Sequence, residues 1–308
     1  MESKFTEIRI SVADDGLRLD VFLSRKFNRS RSAIRNTLGG AVLSAAGRPL
    51  KWSHKLRQGE LIRVKSRVVP EPEVQVTYRL LHQDPHILAV DKGAGAPVHP
   101  VRSWRSRTVL TRLREQTGDL GLKPAHRLDR ETSGVLLFGR TTKALTHLMS
   151  QFKNGQVEKR YLAVVRGCPG FDRVEVDEPL ARDPNFPIQC RMQVDRDRGQ
   201  AAVTRFEVLD RGVDAALVSA RPRTGRQHQI RVHLAHLGHP VLGDKLYQDQ
   251  GRPYLAMIKD ALDPETLSRL GHHRQALHAE RLSLVHPGTG QEMLLQAVLP
   301  ADLQTLLG

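Results

Sequence analysis

One stretch constrains this chain more than any other. His126-Arg127-Leu128-Asp129-Arg130-Glu131-Thr132-Ser133-Gly134 runs straight into the apolar segment Val135-Leu136-Leu137-Phe138. A short apolar run bounded by a Thr-Ser-Gly turn reads as a buried strand. The polar residues before it then form a tight turn that presents one carboxylate, Asp129, at a sheet edge. With an arginine on either side, that carboxylate is expected to stay ionised, because a nearby guanidinium favours the charged form. A second dense polar block follows at 223–233: Arg223-Thr224-Gly225-Arg226-Gln227-His228-Gln229-Ile230-Arg231-Val232-His233. Either block alone reads as solvated charge, with Asp129 in a surface ion pair to Arg127 or Arg130. As a pair they point to a site.

Around these blocks the pattern predicts strands at His86–Val90, Gly134–Phe138, Lys159–Val165, Thr204–Leu209, Ala215–Ala220 and Arg281–Val285, with helices at Thr108–Gln116, Thr142–Phe152 and Gln227–Leu237. Leu145, Leu148, Met149 and Phe152 recur at helical spacing, and Asn154-Gly155 stops that helix. Strands and helices do not alternate strictly. The expected class is therefore α+β, with a mixed, largely antiparallel sheet over residues 74–308. On the third helix Gln227 and Arg231 stand i,i+4 and His228 and Arg231 i,i+3, so Arg231 projects with two polar neighbours above the stripe Ile230, Leu234, Leu237. Tyr161 lies on a predicted strand among basic residues; its ring could stack on a base and its phenol accept or relay a proton.

Residues 1–69 read as a separate small α/β domain, with 70–73 as a stiff linker between Pro70 and Pro72. Leu17, Leu19, Val21, Phe22 and Leu23 give one helix face. Ser30 or Ser32 caps a second helix, Ala33 to Leu38, which Gly39-Gly40 ends, and short strands follow at Val42-Leu43 and Leu61–Val64. The chain carries a formal net charge of +15. Residues 1–70 hold 15 Lys and Arg against 6 Asp and Glu, so +9 of that charge lies in under a quarter of the length. Such a concentrated excess is the footprint of a nucleic-acid binder. Arg29, Arg31, Arg35, Lys51 and Lys55 are the candidate RNA contacts. No apolar run is long enough to span a bilayer and the N-terminus is not a signal peptide, so a cytoplasmic location is expected. Cys168 and Cys190 read as reduced thiols.

Together with Tyr161, the two blocks resemble the RluA-type RNA pseudouridine synthases, and residues 16–64 resemble the S4 RNA-binding module through Arg18-Leu19-Asp20, Ser30-Arg31-Ser32 and Gly59-Glu60-Leu61-Ile62. The resemblance implies isomerisation of uridine in structured RNA, with Asp129 as nucleophile, Tyr161 against the base, Arg231 holding Asp129 ionised, and no cofactor. It also implies large-subunit ribosomal RNA as substrate, transfer RNA being the alternative. His126, Arg127, Arg226, His228 and Gln229 are expected to line the substrate site, and the protein to act as a monomer. Three departures stand out: Gln200 where the family has Lys, Gly93 where Lys-Pro is usual, and Ser44-Ala45-Ala46-Gly47 in place of an Asn-Gly turn. His228, His233, His236 and His239 lack metal-ligand spacing, and Asp244 is the one carboxylate close by, so no metal is expected. A hydrolase and a non-catalytic RNA-binding or ribosome-assembly factor are the competing readings. The loop His99–Arg107, with Trp104 among arginines, could stack on RNA.

Overall fold

The computed structural model describes residues 5–27, 30–38, 42–65, 71–101, 104–259 and 261–307. The chain divides into two compact units, Met1–Pro70 and Glu71–Gly308.

The first unit pairs β1 (Phe5–Arg9), β2 (Val42–Ser44) and β3 (Leu61–Lys65) in an antiparallel sheet ordered β1-β3-β2, with helices α1 (Leu19–Lys26) and α2 (Arg31–Leu38). The expected helix face is buried: Leu19, Phe22 and Leu23 pack with Ile34, Leu56 and Ile62. Strand β1 was not foreseen, although the residues up to Ile10 alternate polar and apolar. Asp20 lies fully buried beside this core and accepts from Arg18 Nε at 3.1 Å, Arg31 Nη2 at 2.7 Å and Arg35. The bond to Arg18 leads in holding the Asp20 carboxyl well below the usual range, against its burial. Arg31 and Arg35, expected as RNA contacts alone, therefore also brace the helix pair, and three guanidiniums on one carboxylate leave a local positive excess. Lys51 and Lys55 are exposed. Arg29, Gly39-Gly40 and linker residue Pro70 lie outside the described residues.

The second unit is built from β4 (Tyr78–Gln83), β5 (Ile87–Lys92), β6 (Lys123–Pro124), β7 (Ser133–Gly139), β8 (Glu158–Arg166), β9 (Arg173–Asp177), β10 (Leu180–Arg182), β11 (Met192–Val194), β12 (Val203–Arg211), β13 (Ala215–Pro222), β14 (Leu277–Val285) and β15 (Glu292–Gln296). Its helices are α3 (Val109–Thr117), α4 (Thr142–Lys153), α5 (Gln229–His236), α6 (Arg252–Met257), α7 (Pro264–Leu270) and α8 (Ala301–Gln304). Strands β10 and β11 pair with each other; the rest form one sheet ordered β4-β5-β7-β14-β8-β13-β12-β9, with β6 beside β7 and β15 beside β14. Among the described residues every strand pairing in it is antiparallel except β7 with β14. The mixed, largely antiparallel α+β domain expected from the pattern is observed. Thr108 and Thr141 cap α3 and α4 through their hydroxyls, as the helix starts required.

Helix α5 differs from its expected span. It begins at Gln229, with His228 as N-cap in a left-handed conformation (φ 57°) and Gln227 before it. The i,i+4 relation of Gln227 to Arg231 is therefore lost. The cause is the Gln229 amide, which accepts from Thr224 Oγ1 at 2.7 Å and Arg226 N at 2.9 Å and thereby folds 224–228 into a turn.

The parallel contact between β7 and β14 comprises His278 opposite Ser133 and Ala279 opposite Gly134. Gly134 has φ 109°, and a Cβ there would stand 2.1 Å from the Ala279 carbonyl oxygen. Gly134→Ala should therefore force the two strands apart and cost more than about 2 kcal/mol. Urea unfolding of the full chain measures this; a loss within about 0.5 kcal/mol means the strands absorb the methyl group.

Candidate active site

Asp129 is held in place by a turn whose backbone is gripped from behind. Lys92, fully buried at the end of β5, donates from Nζ to the carbonyls of Gly93 at 2.8 Å, Arg130 at 2.9 Å and Thr132 at 2.8 Å. Arg274 Nη1 donates to Glu131 O at 3.2 Å, and Gln275 Nε2 to Thr132 Oγ1 at 2.6 Å. Burial pulls the Lys92 ammonium down to about 7. The three carbonyls act the other way, since only the charged form has three protons to give. The departure at Gly93 has a local reason. Its N–H donates to Thr77 O at 2.9 Å, and a Cβ at 93 would meet Thr77 Oγ1 at 2.0 Å.

The partner of Asp129 is neither neighbouring arginine. Arg130 turns to Glu131 at 3.0 Å and lies over the Trp104 ring, and Arg127 is exposed. Instead Arg231 Nη1, from α5, donates to Asp129 Oδ2 at 2.7 Å. The same guanidinium donates through Nε to Asp244 Oδ2 at 2.6 Å and through Nη2 to Asp244 Oδ1 at 2.8 Å. Burial pushes the Asp129 carboxyl up, but His228 and Arg231 beside it outweigh burial and bring it to about 2. His228, held by burial near 4, is itself neutral above that pH, so the guanidinium supplies the lasting charge. Asp129 is thus a carboxylate throughout the physiological range.

Two cavities meet at Asp129. One, of about 270 Å³, is lined by Tyr161, Lys159, Arg226 and His228 among others; the second, of about 460 Å³, by His99, Trp104, Arg130 and Lys245 among others. Arg127, Asp129, His228 and Arg231 line both. Tyr161 stands on β8 opposite Ala279 and Ala220. Burial, helped by the Asp129 charge, holds its phenol well above the ordinary value. It therefore offers a ring face and an O–H donor, and the proton-accepting role considered from sequence is disfavoured.

Two expected substrate contacts face elsewhere. His126 Nε2 accepts from Leu137 N at 3.1 Å and its ring lies 4.9 Å from that of Phe152, so it braces β7 and lines neither cavity. Gln229 lines the smaller cavity, but its amide is consumed: Nε2 donates to Val203 O at 3.0 Å and Thr204 Oγ1 at 2.9 Å. The other histidines weighed from sequence lie away from Asp129, and His236 Nε2 stands 3.9 Å from Glu178 Oε1. His233 bonds Thr204 and the Glu178 carbonyl, and His239 the Arg166 carbonyl. Sequence reasoning missed Asp244 as the second partner of Arg231, and Tyr247, whose hydroxyl meets His228 Nδ1 at 2.9 Å. The usable signal was Gly243, at φ 72° with its Cβ position 1.8 Å from Arg274 O. A glycine forced this way fixes the residue after it.

The chain is similar to known proteins over most of its length. Residues 86–236 match the family model described as RNA pseudouridylate synthase. The chain is 35% identical over 317 residues to the ribosomal large subunit pseudouridine synthase D of Xanthomonas campestris pv. campestris, spanning 98% of this chain and 92% of that one. It is 33% identical to the protein of the same name from Neisseria meningitidis serogroup A, across 95% of this chain and 78% of that one. Among solved structures it is similar to human RNA pseudouridylate synthase domain containing 1, with a TM-score of 0.60 and 25% identity over 77% of this chain and 90% of that one.

Because Arg231 and Asp244 are buried together, removing one charge leaves the other stranded. Asp244→Ala should cost about 3–5 kcal/mol, read by thermal unfolding. A variant within about 1 kcal/mol of the parent would mean that Asp129 alone suffices to hold the guanidinium.

Proposed function

The chain belongs to the RNA pseudouridylate synthase family, and on that premise we propose that it isomerises uridine in large-subunit ribosomal RNA with Asp129 as the nucleophile. The observation that carries this reading is an ionised carboxylate, bonded to a buried arginine, at the wall of a cavity that also holds the Tyr161 ring. The names of the Xanthomonas and Neisseria relatives support ribosomal RNA as the substrate.

The reaction exchanges one bond for another. The base is first extruded from the RNA stack, and Tyr161 stacks against it. Asp129 attacks C1′, or adds to C6, and the N1–C1′ bond breaks with its electron pair going to the ring. The ring turns. C5 bonds to C1′, Asp129 is released, the proton leaves C5, and N1 gains one. Arg231 keeps Asp129 charged at the outset and accepts its charge back at the end. No redox step or group transfer to an outside molecule is involved. Arg127 and Arg226, both exposed at the rim, contact the RNA backbone. The unit at residues 1–70 is an S4-like module that adds phosphate contacts through Lys51 and Lys55, with Arg31 and Arg35 held ready by Asp20.

Release of tritium from C5-labelled uridine in ribosomal and transfer RNA transcripts tests the chemistry. Wild type should release it from ribosomal RNA, and Asp129→Asn should bind that RNA and release none. Release by the variant at the wild-type rate removes Asp129 as nucleophile; release from transfer RNA alone overturns the substrate. In the full chain, Lys51→Glu with Lys55→Glu should flatten the dependence of log affinity on log salt by about 0.7–0.9 per lost phosphate contact. An unchanged slope means these lysines do not touch RNA.

A further inference from the structure

His228 faces both cavities at Asp129 and has no part in the scheme above. Its side chain is 10% exposed. Its Nδ1 lies 2.9 Å from the Tyr247 hydroxyl, and that oxygen already accepts from Met192 N at 3.0 Å. Tyr247 is buried, which holds its phenol protonated. A protonated phenol that already accepts one bond has an O–H still to place, and among the described residues its bonding partners are Met192 N, a donor, and His228 Nδ1. Nδ1 is thus the acceptor, and the single proton of the neutral imidazole sits on Nε2. That nitrogen is 3.8 Å from Asp129 Oδ1, beyond hydrogen-bond length. His228 lines both cavities that meet at Asp129, so this nitrogen stands beside the place where substrate must lie.

We propose that His228, as the Nε2–H tautomer fixed by Tyr247, donates a hydrogen bond to a uracil carbonyl and holds the ring through the exchange of bonds. The inference rests on the synthase reading and gives that site a further catalytic residue. Isomerisation turns the ring about the line through C6 and N3, which exchanges N1 with C5 and O2 with O4. One stationary donor therefore meets O2 before the turn and O4 after it. The charge released to the ring when N1–C1′ breaks spreads onto both oxygens, where a pre-placed donor stabilises it. The backbone at this position fits such a role. A non-glycine residue at φ 57° is strained and persists only where its surroundings fix it, and such positions cluster at working sites.

Full-length His228→Asn and His228→Gln, assayed in single turnover on a transcript that wild type modifies, test the proposal. Asparagine adopts the left-handed conformation readily, so the variant keeps the turn, but its amide reaches only as far as Nδ1. Glutamine carries an N–H out to the position of Nε2. The asparagine variant should lose about a hundredfold in rate at unchanged RNA affinity, and glutamine should recover most of it. Placing 2-thiouridine or 4-thiouridine at the target weakens the acceptor; it should slow wild type and leave the asparagine variant unaffected. An asparagine variant as fast as wild type, or slowed by both thio substitutions by the same factor, overturns the donor role alone. A wild type that forms no pseudouridine in any transcript overturns the synthase reading and this inference with it.

Discussion

The guanidinium of Arg231 is the interaction on which the rest of the site depends. It joins the turn before β7, through Asp129, to two pieces of chain far along the sequence: α5, through its own backbone, and the loop after α5, through Asp244. A buried cation between two carboxylates is costly to desolvate, and the arrangement holds because all three hydrogen bonds are short and two of them form a bidentate pair with Asp244. Only arginine can do this, since lysine offers a point charge where a planar fork is needed. The Tyr247 ring, 5.0 Å from the guanidinium carbon, adds a further attractive contact. Arg231 thus sets where Asp129 points, and Tyr247 reaches from Arg231 to His228.

The turn itself is equally determined. Lys92, Arg274 and Gln275 come from the two strands or strand approaches that flank β7, and each takes a carbonyl or hydroxyl of residues 130–132. A carboxylate on a free loop would sample many positions. Here the backbone behind it has no unsatisfied carbonyl through which to move.

The elements legible in the sequence were those whose apolar pattern is decided locally. β7, β8 and β13 are apolar runs with clear ends, and α3 and α4 carry threonine caps and a glycine or asparagine stop. β9 was missed because its apolar residues alternate with charge; Arg173 on it meets Glu207 across to β12, and that pairing makes Arg-Val-Glu-Val-Asp a strand. β10 and β11 are too short to show a period. The start of α5 was misjudged because a side chain, Gln229, overrides the local preference from within the helix. Asp129, Tyr161 and Arg231 were singled out as a set by their resemblance to a family, which turn and helix spacing alone did not join. Asp244 and Tyr247 escaped because their meaning lies in what Arg231 and His228 reach, which a linear reading does not hold.

β14 occupies the middle of the sheet although it is the last strand but one in chain order. It joins β7 on one side to β8 on the other, so among the described residues the strand groups β4-β5-β7 and β8-β13-β12-β9 are united in one sheet only by residues 277–285. Synthesis runs from the N-terminus, so both halves leave the ribosome before the strand that unites them. Asp129 belongs to the first half and Tyr161 to the second. A nascent chain can collapse each half separately, but it gains a reactive centre only when its central strand arrives, which makes catalytic competence a late event in the life of every molecule.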